Sequence, residues 1–385
     1  MAERSYKFDT KAIHAGVNPD PTTGAVMTPI YQTTTFAQEK VGEHKGFAYA
    51  RSSNPTRNVL ENAIAALENT KYGACFGSGV AAIDAVLKLL SPGDEVITTD
   101  DLYGGSYRIF TTIFAKYGIK FHFIKMKDVK VLEQTINKKT KLVWVETPTN
   151  PMMNIVDLAA ISKITQKNNL LLAVDNTFAT PYLQTPIDLG ADIVMHSATK
   201  YLGGHSDVVM GFLATNNEEV AKEIYHIQNT TGAIAGPMDS FLVLRGLKTL
   251  HLRMERHCEN GAQLAYFLRN HPQIEKVHWP GFKDHPNHAI AKKQMKGFGG
   301  MLSFTLKGDS IQAAHKLMES FKVITLAESL GGVESLVCHP ATMTHAALPK
   351  EEREKAGITD SLIRLSVGVE HIEDLKQDIM QALTK

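Results

Sequence analysis

Three short stretches of this chain combine reactive or ligand-binding side chains with the end of an apolar run. The first is Gly77-Ser78-Gly79-Val80-Ala81-Ala82, a G-x-G-x-x-A turn between a strand-like and a helix-like segment. Backbone N–H groups at a helix start bind phosphate, so this is a phosphate cradle or a plain tight turn. Asp100 follows at the end of the next strand, and with it the turn also fits a dinucleotide-binding fingerprint. The second stretch is Leu171-Leu-Ala-Val-Asp175-Asn176-Thr177, an acid at the end of a buried strand, where α/β sheets place ligands. Such an acid also serves as a helix N-cap, but Pro181 close behind argues against a helix start. The third is His196-Ser197-Ala-Thr199-Lys200-Tyr201, closed by Gly203-Gly204. Ser197 and Thr199 offer hydroxyl donors. A lysine just past a buried strand loses hydration, which lowers its pKa and makes it a nucleophile; otherwise it is a solvated loop residue. Together these are the parts that pyridoxal phosphate requires. The lysine carries the cofactor covalently, the acid pairs with the pyridinium nitrogen so that the ring accepts electrons, and the turn and hydroxyls hold the phosphate.

The elements that must position these groups alternate. Helical periodicity over 58–68 and 83–90 is interleaved with strand-like runs at 72–76, 95–99, 120–124, 142–146, 170–175 and 193–197. A βαβ rhythm of this kind predicts a mostly parallel sheet covered on both faces, an α/β fold. After about residue 245 the pattern changes to a long helix at 249–270 and mixed short elements such as 301–306 and 371–383, read as a smaller α+β domain. The expected division is an arm (1–55) without helical periodicity, a large domain (56–245) and a C-terminal domain (246–385). Such an arm wraps its own body or reaches a neighbouring subunit.

The 385 residues are 43% apolar and 21% charged, with 41 Lys plus Arg against 40 Asp plus Glu. That balance predicts no nucleic-acid surface and no polybasic membrane anchor. No apolar run reaches transmembrane length, the first residues lack a signal-like apolar core, and three scattered cysteines suit a reducing compartment, so a cytoplasmic protein is expected. His285 and His288, with Cys338-His339, lack the spacing of a structural zinc site, so no metal is expected. Cys75 reads as a small core residue.

Further motifs extend the pattern: Tyr49-Ala-Arg51-Ser-Ser-Asn54-Pro55-Thr56-Arg57, Leu102-Tyr103-Gly-Gly-Ser106, Glu146-Thr-Pro-Thr-Asn150-Pro151, Gly204-His-Ser-Asp207, Ala327-Glu328-Ser329-Leu-Gly-Gly332 and Ile363-Arg364-Leu-Ser366-Val-Gly368. Carrying them in order, the chain resembles over essentially its whole length the pyridoxal-phosphate enzymes of cysteine and methionine metabolism, with the cystathionine γ-lyase and γ-synthase branches nearest. The resemblance implies an aspartate-aminotransferase-like fold, a small amino-acid substrate and a homotetramer built as a dimer of dimers. It implies Lys200 as the Schiff-base lysine, Asp175 as the pyridinium partner and Tyr103 stacked on the ring. Ser78, Gly79, Val80, Ser197 and Thr199 would hold the phosphate, with Asn150 and Thr177 also at the cofactor. Tyr49 and Arg51 would enter the neighbouring subunit's phosphate site, and Tyr49 would join Lys200 and Tyr103 among the catalytic groups. Arg364 and Ser329 would hold the substrate α-carboxylate beside Asn150, with Glu328 and Thr344 also on the substrate.

The resemblance points to γ-elimination of cystathionine, with γ-replacement on an O-acyl homoserine as the alternative and bifunctionality open. The acid Glu328 before Ser329 matches γ-lyases and γ-synthases, whereas β-lyases tend to carry a bulky aromatic there. Tyr103-Gly-Gly-Ser106 lacks the cysteine that methionine γ-lyases place beside the ring tyrosine. Two other classes remain to be weighed: a nicotinamide oxidoreductase using the glycine turn and Asp100, and an inactive scaffold. The first leaves Lys200, Asp175 and Arg364 unexplained; the second would be expected to have lost Lys200 or Asp175.

Overall fold

Runs such as Leu142-Val-Trp-Val and Leu171-Leu-Ala-Val are apolar on both sides of the pleat, and only a sheet covered on both faces buries both. In the computed structural model, which describes residues 6–346 and 349–384, these runs form the middle of a seven-stranded sheet. Its strands are β1 (Tyr72–Phe76), β2 (Glu95–Thr99), β3 (Lys120–Ile124), β4 (Thr140–Glu146), β5 (Leu171–Asp175), β6 (Ile193–Ser197) and β7 (Gly211–Thr215), in the spatial order β1-β7-β6-β5-β4-β2-β3. Strands β6, β5, β4, β2 and β3 pair in parallel, and β7 alone is reversed between β1 and β6. Trp144 on β4 is fully buried and meets the ring of Phe110 edge-on at 5.9 Å.

The strand order disposes of the dinucleotide reading. In that fold the strand before the glycine turn lies beside the strand ending in the acid. Here β1 is at one edge, and β7, β6, β5 and β4 separate it from β2. Asp100 lines a separate cleft of about 500 Å³, away from Gly79.

A second sheet, ordered β10-β11-β12-β9-β8, follows the long helix Leu250–Arg269. It contains β8 (Ile274–His278), β9 (Met301–Leu306), β10 (Thr325–Leu326), β11 (Leu336–Cys338) and β12 (Leu362–Ser366), and only β10–β11 is parallel. The helix Ile372–Leu383 packs on this sheet through Leu375 and Ile379.

Two helix starts differ from expectation. The helix expected from residue 58 begins at Pro55, because Asn54 accepts the Thr56 and Arg57 amides through its side chain and proline suits the first turn. A four-residue helix also starts at Thr180 with Pro181 in its first turn, so the proline does not prevent a helix; Asp175 lies too far upstream to cap it. The arm carries the helix Phe8–His14, and Phe8 lies edge-on to Tyr182 at 5.2 Å, so its beginning packs on its own body. Among the described residues no helix is long and apolar enough to cross a membrane. His285 and His288 are engaged with the backbone carbonyls of Met153 and Pro280, and Cys75 is buried.

Candidate active site

The segments leaving the C-terminal ends of β1, β2, β4, β5 and β6 converge on one cavity of about 270 Å³, which the second sheet closes with Arg364 of β12 and the Glu328–Ser329 segment after β10. Such convergence is where open α/β sheets bind ligands. Of the residues singled out in the sequence, Ser78, Gly79, Val80, Tyr103, Asn150, Asp175, Thr177, Ser197, Thr199, Lys200, Glu328, Ser329, Thr344 and Arg364 all line it. Tyr49 and Arg51 do not. Tyr49 is 44% exposed on the arm, with the Arg51 guanidinium 5.2 Å from its ring centre.

One end of the cavity is a helix N-terminus. Ser78 caps the helix Gly79–Leu87 by accepting the Ala81 amide at 3.0 Å, which leaves the Gly79 and Val80 amides free for an anion. A Cβ on Gly79 would lie 3.0 Å from the Ser197 side chain, so glycine lets the helix start approach the end of β6. At the end of β5, Asp175 Oδ1 accepts both the amide (3.0 Å) and the hydroxyl (2.5 Å) of Thr177, whose oxygen in turn accepts the Ser197 amide at 2.9 Å. Asp175 Oδ2 has no hydrogen-bond partner among the described residues.

Lys200 donates to Ser329 Oγ at 2.7 Å. Burial, and secondarily the charge of Arg364, lowers its pKa to about 8. Ser329 holds a φ of +93°, a strained value for a residue with a side chain. Arg364, buried on β12, donates from Nη2 to the Ser329 carbonyl at 3.0 Å and from Nη1 to Asn150 Oδ1 at 2.9 Å. Tyr103 is 38% exposed, and burial raises its phenol pKa.

The family model for Cys/Met metabolism PLP-dependent enzymes matches residues 9–384. The chain belongs to this family. It is 53% identical over 378 residues to a protein of Coxiella burnetii named cystathionine β-lyase, covering 98% of this chain and 97% of that protein. It is also 52% identical over 382 residues to a Dictyostelium discoideum protein named cystathionine γ-lyase, covering 99% and 98%. Among solved structures, a cystathionine γ-lyase from Lactobacillus plantarum complexed with L-serine superposes with a TM-score of 0.96 at 46% identity, covering 98% of this chain and 99% of that one. The protein is thus a pyridoxal-phosphate-dependent enzyme of cysteine and methionine metabolism whose relatives are lyases. The nicotinamide and scaffold alternatives fall away.

The donor set fits the family's cofactor. A helix N-terminus with free amides suits a phosphate, an unpaired carboxylate oxygen suits a pyridinium, and a lysine with a lowered pKa suits a Schiff base. In the sequence alone Glu146 has no distinct role beyond its place in the Glu146–Pro151 motif. This residue ends β4 directly beside Asp175 in the sheet register and accepts the Tyr103 amide at 2.9 Å. Both carboxyls are buried, and burial raises both pKa values, most strongly for Glu146, which also feels the Asp175 charge. Two adjacent buried carboxyls do not both ionise easily. The Thr177 amide and hydroxyl favour the charge on Asp175 and offset part of the rise in its pKa. The signal was a strand-end acid, visible in the Glu146–Pro151 motif, but its pairing with Asp175 needed the strand order. Phe178 and Val209, also in the cavity wall, had no sequence signal beyond being apolar.

Proposed function

We propose that the protein is a cystathionine γ-lyase, converting cystathionine and water to cysteine, 2-oxobutanoate and ammonia. Glu328 carries this reading. It is exposed where the cavity opens, whereas Arg364 is buried, which gives the cavity an inner cationic end and an outer anionic end. A substrate with a carboxylate at the reacting end and an ammonium at the far end matches that order. An acid rather than an aromatic ring before Ser329 also agrees with the γ-lyase pattern.

Pyridoxal phosphate bound at this site would supply an electron sink that makes the substrate's Cα and Cβ hydrogens acidic. The Gly79 and Val80 amides and the Ser78, Ser197 and Thr199 hydroxyls would hold its phosphate, Asp175 would pair with its ring nitrogen, and Lys200 would be its covalent attachment. Arg364, oriented by Asn150, fixes the α-carboxylate. Lys200, with its pKa lowered to about 8, then serves as the base, since such an amine both takes and returns protons near neutrality. Tyr103 keeps its phenolic proton because burial raises its pKa, and it donates that proton to the departing sulfur.

A second reading is β-elimination, favoured by the 53%-identical relative named cystathionine β-lyase. Product analysis separates the two. Cleavage at Cγ yields 2-oxobutanoate and cysteine, whereas cleavage at Cβ yields pyruvate and homocysteine. Predominant pyruvate overturns the γ-lyase assignment. Faster formation of cystathionine from an O-acyl homoserine plus cysteine than cleavage of cystathionine would make γ-replacement the main activity.

A further inference from the structure

His345 is 1% exposed and lies just behind the cavity wall, adjacent to Thr344. Its Nε2 is 3.2 Å from the Leu102 carbonyl and 3.2 Å from the Asn150 carbonyl. Both partners accept only, so Nε2 must carry the hydrogen and share it between them. Its Nδ1 is 2.9 Å from Thr344 Oγ1. Burial lowers the pKa of the ring to about 4, so it is neutral near pH 7 and Nδ1 accepts the Thr344 hydroxyl.

These three partners belong to three separate parts of the cavity wall. Leu102 precedes Tyr103. Asn150 holds Arg364 through its side chain. Thr344 lines the cavity itself. Leu102 and Asn150 are both buried, and His345 is the only donor to either carbonyl among the described residues. The contact is already tight: a Cβ on Gly104, next to Tyr103, would collide with the Thr344 carbonyl. A side chain bridging the segments at that point transmits any displacement to both.

We infer that His345 is a positioning residue, a single imidazole clasp that sets the Tyr103, Asn150 and Thr344 segments against one another and thereby aims Arg364 at the substrate carboxylate. This rests on Arg364 being the carboxylate site, not on which C–S bond is cleaved. Without the Nε2 hydrogen two buried carbonyls lose their donor and the segments part.

Three substitutions test it in the pyridoxal-phosphate-loaded enzyme, with total 2-oxo acid formation from cystathionine as the assay, so that γ- and β-cleavage count equally. His345→Gln places an amide N–H at the same bond distance from Cα and keeps the bridge. His345→Asn reaches Thr344 but not the two carbonyls, and His345→Leu removes all polar contacts. The Gln variant is expected to stay within about threefold of the parent in kcat/KM, and the Asn and Leu variants to lose at least about tenfold, mainly through KM. Amide exchange of the cofactor-free protein supplies a readout independent of activity. Segments 101–105 and 148–154 are expected to exchange faster in the Asn variant than in the Gln variant, with the β5–β6 region unchanged. If the Leu variant does not fold, the Asn–Gln comparison decides. Asn at parental kcat/KM with unchanged exchange overturns the proposal. So does a Gln variant as impaired as Asn, since the donor would then not be what matters. If the Asn loss is confined to kcat with KM intact, positioning of the carboxylate site is refuted.

Discussion

Removing Arg364 should weaken every amino-acid substrate by the same factor, and the structure sets its size. Its guanidinium has five N–H donors. Nη1 is committed to Asn150 and Nη2 to the Ser329 carbonyl, which leaves donors for a carboxylate on the cavity side. A charge-assisted hydrogen bond is worth about 1.5–3 kcal/mol. One or two such bonds lost correspond to about 1.5–6 kcal/mol, or roughly ten- to ten-thousandfold in kcat/KM. Arg364→Ala should show that loss with cystathionine and with an O-acyl homoserine alike, while Arg364→Lys, which keeps charge but not the planar fork, should fall between. Glu328→Ala is the contrast. It should impair cystathionine, which carries a distal ammonium, and largely spare the O-acyl homoserine, which does not. The assay is kcat/KM for both substrates with each variant, corrected for cofactor occupancy. A loss below about threefold for Arg364→Ala, or a loss that depends on the substrate's distal end, would refute the assignment of Arg364 to the shared α-carboxylate. Equal losses on both substrates for Glu328→Ala would remove the basis for linking that residue to the distal ammonium.

Lys200→Ala should abolish covalent cofactor attachment and nearly all turnover; borohydride trapping followed by peptide mapping should place the label on Lys200, and a label on Lys141 or Lys248 ends the model. Because Tyr49 and Arg51 lie outside their own chain's cavity, Arg51→Ala and Lys200→Ala, each inactive alone, should recover activity when reassembled together; verified hybrid oligomers without recovery would assign Arg51 a purely structural role. His345 is held at a pKa of about 4, below its unfolded value near 6.5. Between those values the unfolded chain binds the extra proton, so this residue's contribution to stability falls as pH falls, by up to about 1.4 kcal/mol per pH unit. Asp101, raised by burial to about 7, acts in the opposite sense in both proteins, so the measurement is the urea-unfolding free energy of the parent minus that of His345→Gln from pH 6 to 4.5; that difference should fall as the pH falls, and a constant difference would contradict a neutral buried imidazole.

The family, the alternating elements and most of the cavity lining were legible in the chain because they depend on local order. A buried parallel strand is a continuous apolar run, and a ligand-binding loop follows its end. Runs such as 193–197, closed by Ser197 and followed by Thr199 and Lys200, therefore announced both the strand and its cargo. Strand order was not legible, since it depends on contacts between segments far apart in sequence. The Gly77–Gly79 turn and Asp100 looked like one site until β1 and β2 proved to lie in different parts of the sheet. Glu146 and Asp175 became a coupled pair of carboxyls only when β4 and β5 were placed in register. Likewise nothing in the sequence around His345 indicates its bond to Leu102, 243 residues away. Local periodicity determines which residues face a core or end a strand. Only the closed fold decides which of those ends become neighbours, and so which carboxyls are buried side by side and which lysine loses its water.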